Sequence, residues 1–132
     1  AMKEAGRESL RIDTAGLDWV NGYHAADKLL TMKNKPPAVI GGSYDISGGI
    51  LRALQERKVK IPEELSLISY DNIPQMETME IPMSCIGVPS EELANEIVRA
   101  IIEHIETEED HQLVKKLNPS LTIRQTTGPA DG

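Results

Sequence analysis

The stretch PPAVIGGSYDISGGILRALQERKVKIPEELSLISYDN, residues 36–72, decides the fold. Residues 37–42 and residues 65–70 are short apolar runs bounded by prolines, glycines or polar turns, as expected of strands buried on both faces. Between them, an apolar residue recurs every four positions along a predicted helix at 44–57, namely at Ile46, Ile50 and Leu54. Strands joined through a helix run parallel, with a right-handed crossover. The stretch therefore predicts a strand–helix–strand unit.

Polar side chains follow both predicted strands. Ser43, Tyr44 and Asp45 come after the first strand, and Asp71 and Asn72 come after the second. The carboxyl ends of parallel strands share one edge of the sheet, which is where open α/β sheets bind small ligands. A carboxylate there suits a polyol, because it can accept hydrogen bonds from two adjacent hydroxyls, and it would also suit an amine. In the structural alternative, Ser43 or Asp45 caps the helix and Asp71 closes a turn.

Composition narrows the class of protein. A chain of 132 residues with 3% aromatic residues and no Phe is one domain or less, with a core of Ile, Leu, Val, Ala and Met. Its net charge of −7 makes it a poor partner for nucleic acid. Cys85 is the only cysteine, so an internal disulfide is excluded and a reducing compartment is favoured. We interpret Cys85 as a small buried residue. No apolar run reaches membrane-spanning length.

The remaining elements are predicted from periodicity and punctuation. Asp18 suits the N-cap of a helix that runs to about Met32. A short helical turn is expected within 73–82. A helix is predicted at 89–106, with Ser90 as its cap and an apolar stripe at Leu93, Ile97, Ile101 and Ile105. Strands are predicted at 9–13, 83–88, 113–117 and 121–126.

Gly48 and Gly49 stand together inside the predicted central helix, where each costs roughly 1 kcal/mol of helix propensity relative to Ala. We interpret them as positions where the helix backbone closely approaches the sheet or a partner's helix. Phosphate binding is the alternative, but GGSYDISGG has the spacing of neither a dinucleotide fingerprint nor a P-loop.

The sequence shows no constellation for catalysis. His24, His104 and His111 share no metal-ligand spacing with one another or with Cys85, and there is no nucleophile elbow, zinc motif or Walker sequence. An enzyme on a flavodoxin-like sheet is therefore disfavoured, and neither a metal nor a cofactor is expected.

The central stretch resembles the effector-binding domain of LacI/GalR-type transcriptional repressors. The most specific part is residues 61–72, IPEELSLISYDN, and further similarity lies in GYHAADKLL at 22–30, IPMSC at 81–85 and LNPSLTIRQTT at 117–127. The resemblance implies an α/β fold: a parallel sheet with helices on both faces, forming one lobe of a periplasmic-binding-protein-like type I fold. Residues 1–128 would be the C-terminal lobe and residues 129–132 a tail.

The resemblance also implies which residues bind the effector. Asp71 matches the aspartate that takes effector hydroxyls, and Ser43 and Tyr44 replace an Asn-Asp pair. Leu17 matches a position that often carries a ring-stacking aromatic, and Trp19 could substitute for it only if the loop shifts. The crossover contacts would fall near Val88 and Ser90.

On this resemblance we expect a cytoplasmic repressor that senses a small carbohydrate or sugar phosphate and binds operator DNA through a domain outside this chain, without contact to a membrane. It would act as a homodimer, whose surface is implied at Gly48, Leu51, Arg52, Gln55 and Met79. The strand and helix at 83–106 would normally pack on the other lobe, so the apolar stripe of that helix should be covered here by a swapped neighbour or a dimer contact. The alternative function is an extracytoplasmic sugar-binding protein of a transporter.

Overall fold

The computed structural model describes Glu4, Gly6, residues 10–107 and residues 114–129 of the chain. Helices and strands alternate through most of these residues, as the central stretch predicts. The elements are α1 (Trp19–Thr31), β1 (Ala38–Gly41), α2 (Tyr44–Glu56), β2 (Ser66–Asn72), β3 (Ser84–Pro89), α3 (Ser90–Thr107) and β4 (Ser120–Thr122). A single 3₁₀ turn at Pro74–Met76 provides the helical turn expected between β2 and β3.

Within the described residues the strands form one sheet in the order β1-β2-β3-β4. The first three are parallel: Val39 pairs with Leu67, and Ser69 pairs with Cys85. β4 runs antiparallel to β3 and closes the edge. The predicted α/β class and the parallel strand–helix–strand unit are confirmed.

Three predicted strands differ from the structure. Residues 10–13 form no strand, and Ser9 lies outside the described residues. The part of 113–117 that is described, from Val114 onward, also forms none. The closing strand ends at Thr122 instead of Thr126. Alternating side chains alone predicted these strands, but a strand also needs a neighbouring edge with which to pair.

Buried Thr126 explains why the chain leaves the sheet after β4. Its hydroxyl donates to the carbonyl oxygen of Leu67 at 2.6 Å and accepts from the backbone N–H of Ser84 at 2.9 Å. Its own carbonyl oxygen accepts from the N–H of Leu67 at 2.7 Å. The segment therefore crosses the amino ends of β2 and β3 and joins them.

The core lies on one face of the sheet. Leu67 and Cys85 point to this face and are fully buried, together with Leu54 of α2. On the opposite face, Ile40 is 69% exposed and Tyr70 is 55% exposed. The prediction placed helices on both faces, whereas in the described part of the chain the second face keeps much of its apolar surface in solvent.

α1 packs on α2 through glycines. A Cβ atom on Gly22 would lie 2.2 Å from the carbonyl oxygen of Ile46, and one on Gly49 would lie 2.1 Å from that of Trp19. A Cβ atom on Gly48 would lie 2.5 Å from the Trp19 ring. The close approach that we expected at Gly48 and Gly49 is therefore real, and within the described residues α1 makes it instead of the sheet.

The apolar side of α3 is only partly covered by the described residues. The helix begins at Ser90 directly after β3, so Ser90 is its first residue and not a preceding cap. None of its residues is buried. The stripe predicted from the sequence is about half exposed, at Leu93, Ile97, Ile101 and Ile105.

We predict that Gly49→Ala destabilises the fold more than Gly48→Ala does. The new methyl at residue 49 meets the α1 backbone, so the helices must separate, and overpacking of this kind costs about 1–3 kcal/mol. At residue 48 the methyl meets the partly exposed Trp19 side chain, which can move. Chemical denaturation of both variants measures the difference, and equal losses would contradict the backbone contact.

We also predict a pH-dependent contribution from the N-cap of α1. The Asp18 carboxylate accepts from the Asn21 N–H at 2.8 Å, and this hydrogen bond lowers the pKa of Asp18. The stabilisation is therefore present above the ordinary pKa of 3.8 and is lost as the pH falls through the lowered value. Asp18→Ala should lower the Tm at neutral pH, and its difference from the wild type should shrink in acid.

Asp18→Asn is the control for this cap, because the amide oxygen still accepts the N–H but does not titrate. It should lose less stability than Asp18→Ala at neutral pH. A Tm difference for Asp18→Ala that stays constant down to pH values below 3.8 would refute a charged cap.

Candidate functional site

The carboxyl ends of β1, β2 and β3 form one edge of the sheet, which we call the rim. There the loop after β1 meets the end of β2, because the backbone N–H of Tyr44 donates to Oδ2 of Asp71 at 2.9 Å. Ser43 and Asp71 therefore emerge side by side, as the parallel pairing predicted. Both side chains are half-buried.

Ser43 and Asp45 have structural roles at this position. Ser43 is the N-cap of α2, and its Oγ accepts from the N–H of Ile46 at 3.3 Å. The capping alternative therefore holds for Ser43, although its hydroxyl hydrogen can still be donated. Asp45 is in the first turn, where its carboxylate accepts the indole N–H of Trp19 at 2.9 Å.

An aromatic pair stands beside these groups. The rings of Trp19 and Tyr44 meet edge to face, with centroids 6.1 Å apart. Trp19 donates to Asp45 and packs against Gly48 of α2, and it is 39% exposed. The structure thus places Trp19 at the rim, beside Tyr44. Leu17 lies two residues before it and is 71% exposed.

The end of β3 supplies the remaining predicted residues. Asn72 of β2 pairs with Pro89, so Val88 and Ser90, which flank Pro89, lie at the same rim as Asp71. Both are half-buried. The side chain of Asn72 donates to Oγ1 of Thr122 at 3.5 Å, a long hydrogen bond that links β2 to β4 across the rim.

Sequence reasoning missed one residue here. Gly87 lies inside β3, and a Cβ atom on it would come within 2.9–3.2 Å of the backbone of Asp71 and Asn72. A glycine in the middle of an apolar strand is the signal that could have revealed it, because such glycines often mark a bulge or a close backbone approach.

Cys85 and two of the three histidines lie within the described residues. In the described ranges, no group of three or more His, Cys, Asp or Glu side chains could hold a metal ion. Cys85 is buried, with Nη1 of Arg124 at 3.2 Å from its Sγ. His24 lies 3.8 Å from Asp27, and His111 lies outside the described residues. Among the described helices, none combines the length and apolar character that crossing a membrane requires.

The residues implied for a dimer surface divide into two groups. Gly48 and Leu51 are buried, and Gly48 lies against the Trp19 ring of α1. Arg52, Gln55 and Met79 remain at or near the surface. Arg52 pairs with Glu56 at 2.7 Å. The pKa of Glu56 is lowered because it accepts hydrogen bonds from the Tyr23 hydroxyl and from Arg52.

Comparison with known proteins places this architecture. The sequence matches the family described as periplasmic binding protein-like domains over residues 1–127. The HTH-type transcriptional repressor PurR of Vibrio parahaemolyticus is 30% identical over 101 residues, covering 76% of this chain and 30% of PurR. The ribose operon repressor of Haemophilus influenzae is 28% identical over 109 residues, covering 83% of this chain and 33% of that protein. The chain thus spans about a third of the length of these relatives.

A solved structure agrees with the relatives. A LacI family transcriptional regulator from Enterococcus faecalis, with bound ribose, has a TM-score of 0.78 to this chain and is 28% identical to it. The match covers 91% of this chain and 44% of that one. The chain therefore belongs to the family of periplasmic binding protein-like domains, in the form that serves LacI/GalR-type regulators as their effector-binding domain.

Proposed function

We propose that this chain is the C-terminal lobe of the sensing domain of a LacI/GalR-type repressor and that its rim binds a small carbohydrate. The observation that carries the proposal is the Asp71 carboxylate, which stands at the ends of parallel strands against the N-terminus of α2. The repressor relatives and the ribose-bound regulator support the same function.

The chemistry of the rim suits a polyol. Oδ2 of Asp71 accepts the Tyr44 N–H, while no donor to Oδ1 is seen among the described residues. A carboxylate with one oxygen fixed in this way can accept a sugar hydroxyl on the other, in a charge-assisted hydrogen bond. The Ser43 hydroxyl can donate to a neighbouring oxygen, and the edge-to-face pair of Trp19 and Tyr44 offers an apolar wall to the C–H groups of a sugar ring.

Charge favours a neutral sugar over a sugar phosphate. Asp45 and Asp71 both stand at the N-terminus of α2, the position where a helix would otherwise attract a phosphate group. The chain's net charge of −7 acts in the same direction. A phosphorylated effector would need cationic groups from the other lobe.

The mechanism we propose is a shift of population. An effector that contacts both lobes stabilises one angle between them, and in a dimer this changes the spacing of DNA-binding heads. Those heads lie outside this chain, and the protein would work in the cytoplasm. An extracytoplasmic sugar-binding function is disfavoured because the curated relatives named above are repressors. An enzymatic function is disfavoured for the same reason, because those relatives are repressors.

We predict that D-ribose raises the Tm of the full-length protein and that Asp71→Ala removes most of this shift. A ligand at one hundred times its Kd adds about 2.7 kcal/mol of stability by mass action. Asp71→Asn should bind weakly, because its amide keeps one acceptor oxygen but loses the charge. Glu63→Ala is the matched control, since this exposed carboxylate precedes β2 and so lies at the opposite end of the strand.

Two results of this experiment would count against the proposal. If ribose raises the Tm of Asp71→Ala as much as that of the wild type, Asp71 does not bind the ligand. A rise in Tm with glucose 6-phosphate, but with neither ribose nor glucose, would contradict the preference for a neutral sugar that we infer from charge. Trp19 is the only tryptophan of the 132-residue sequence, so in that chain its fluorescence provides an independent binding signal from the rim.

We further propose that the protein is a homodimer and that α3, when the other lobe is absent, associates with a second copy. Sizing chromatography with light scattering should therefore give the 132-residue chain a mass greater than the 14.5 kDa of the monomer. Ile101→Asp should weaken the association, because it places a charge in the apolar stripe. Asn95→Asp adds the same charge at an exposed position off the stripe and should leave the association unchanged. Monomeric elution of the wild type would contradict the proposal.

A further inference from the structure

The backbone of Asp71 has an unusual conformation. Its φ of 125° is positive, although Asp71 is not a glycine. Conformations of this kind cost on the order of 1–3 kcal/mol and persist only where the surrounding structure imposes them. The sequence alone gives no reason for the strain, so the cause must lie in what Asp71 contacts.

The strand pairing shows where the strain arises. Tyr70 pairs with Ile86, but Asn72 pairs with Pro89, so Asp71 of β2 lies opposite two residues of β3, Gly87 and Val88. β3 thus carries a bulge at the rim. Bulges bend and twist the strand pair and commonly redirect a side chain next to a functional site.

Gly87 makes this arrangement possible. A Cβ atom on Gly87 would lie 2.9 Å from the backbone N of Asn72, 3.0 Å from the carbonyl carbon of Asp71 and 3.2 Å from its Cα. All three are backbone atoms, which cannot rotate away as a flexible side chain could. Any other residue at position 87 would therefore push the Asp71 backbone away from β3.

We propose that Gly87 is a positioning residue for Asp71. By letting the two backbones touch, it permits the positive φ of Asp71, which holds the carboxylate 2.9 Å from the Tyr44 N–H. The part of the inference that concerns effector affinity rests on the proposed function, whereas the hydrogen bond to Tyr44 can be tested without any effector.

The first experiment measures that hydrogen bond. In the full-length protein, Gly87→Ala should speed amide hydrogen exchange of Tyr44 by about tenfold, the equivalent of 1.4 kcal/mol. Gly128→Ala is the matched control: it makes the same change near the amino end of β2, where the nearest atom is the side-chain Cγ of Pro62. Unchanged exchange at Tyr44 in Gly87→Ala would overturn the proposal.

The second experiment asks whether Gly87 acts through Asp71. D-ribose affinity is measured for Gly87→Ala, Asp71→Ala and the double variant. We expect Gly87→Ala to weaken binding at least several-fold in the wild-type background and to have no further effect once Asp71 is Ala. Equal losses in both backgrounds would show a merely structural role and overturn the proposal. If the wild type binds no ribose, the proposed effector fails, and Tyr44 exchange alone decides the role of Gly87.

A third comparison covers the case in which Gly87→Ala does not fold. Asp71→Gly and Asp71→Ala both remove the carboxylate, but only glycine adopts a positive φ without strain. With Gly87 intact, Asp71→Gly should therefore have the higher Tm. Equal melting temperatures, or a higher one for Asp71→Ala, would show that residue 71 is not held at a positive φ and would overturn the inference.

Discussion

Parallel pairing of β1 with β2 is the constraint on which the rest of this structure depends. Because the two strands run in the same direction, both polar loops leave the sheet at one edge, and the N–H of Tyr44 reaches the carboxylate of Asp71. This hydrogen bond connects the N-terminus of α2 to the end of β2. The carboxylate thereby satisfies a helix end that would otherwise need water or a ligand, while no described residue donates to its second oxygen.

Two of the close backbone approaches made by glycines bear on the candidate site. Gly22 and Gly49 bring α1 against α2, which places Trp19 beside Tyr44 and Asp45. Gly87 brings β3 against β2, which turns the backbone of Asp71. The candidate site thus depends on residues that carry no functional group, because they decide where the functional groups stand.

Part of the apolar surface of the described residues is exposed to solvent. The α3 stripe and one face of the sheet expose large aliphatic side chains, among them Ile40 and Ile105. Patches of this kind mark contact with another domain or subunit. The association with a second copy proposed above would cover the stripe of α3.

The sequence by itself determined the α/β class, the cores of the helices, the strands β1 to β3 and the meeting of Ser43 with Asp71, because hydrophobic periodicity and parallel connection are local properties. It also located the Asp18 and Ser43 caps. Tertiary structure alone decided that α1 fills the space beside Gly48 and Gly49, that Thr126 joins β2 to β3, and that Gly87 shapes Asp71. These contacts join residues distant in the chain, and no local pattern encodes which backbones will meet.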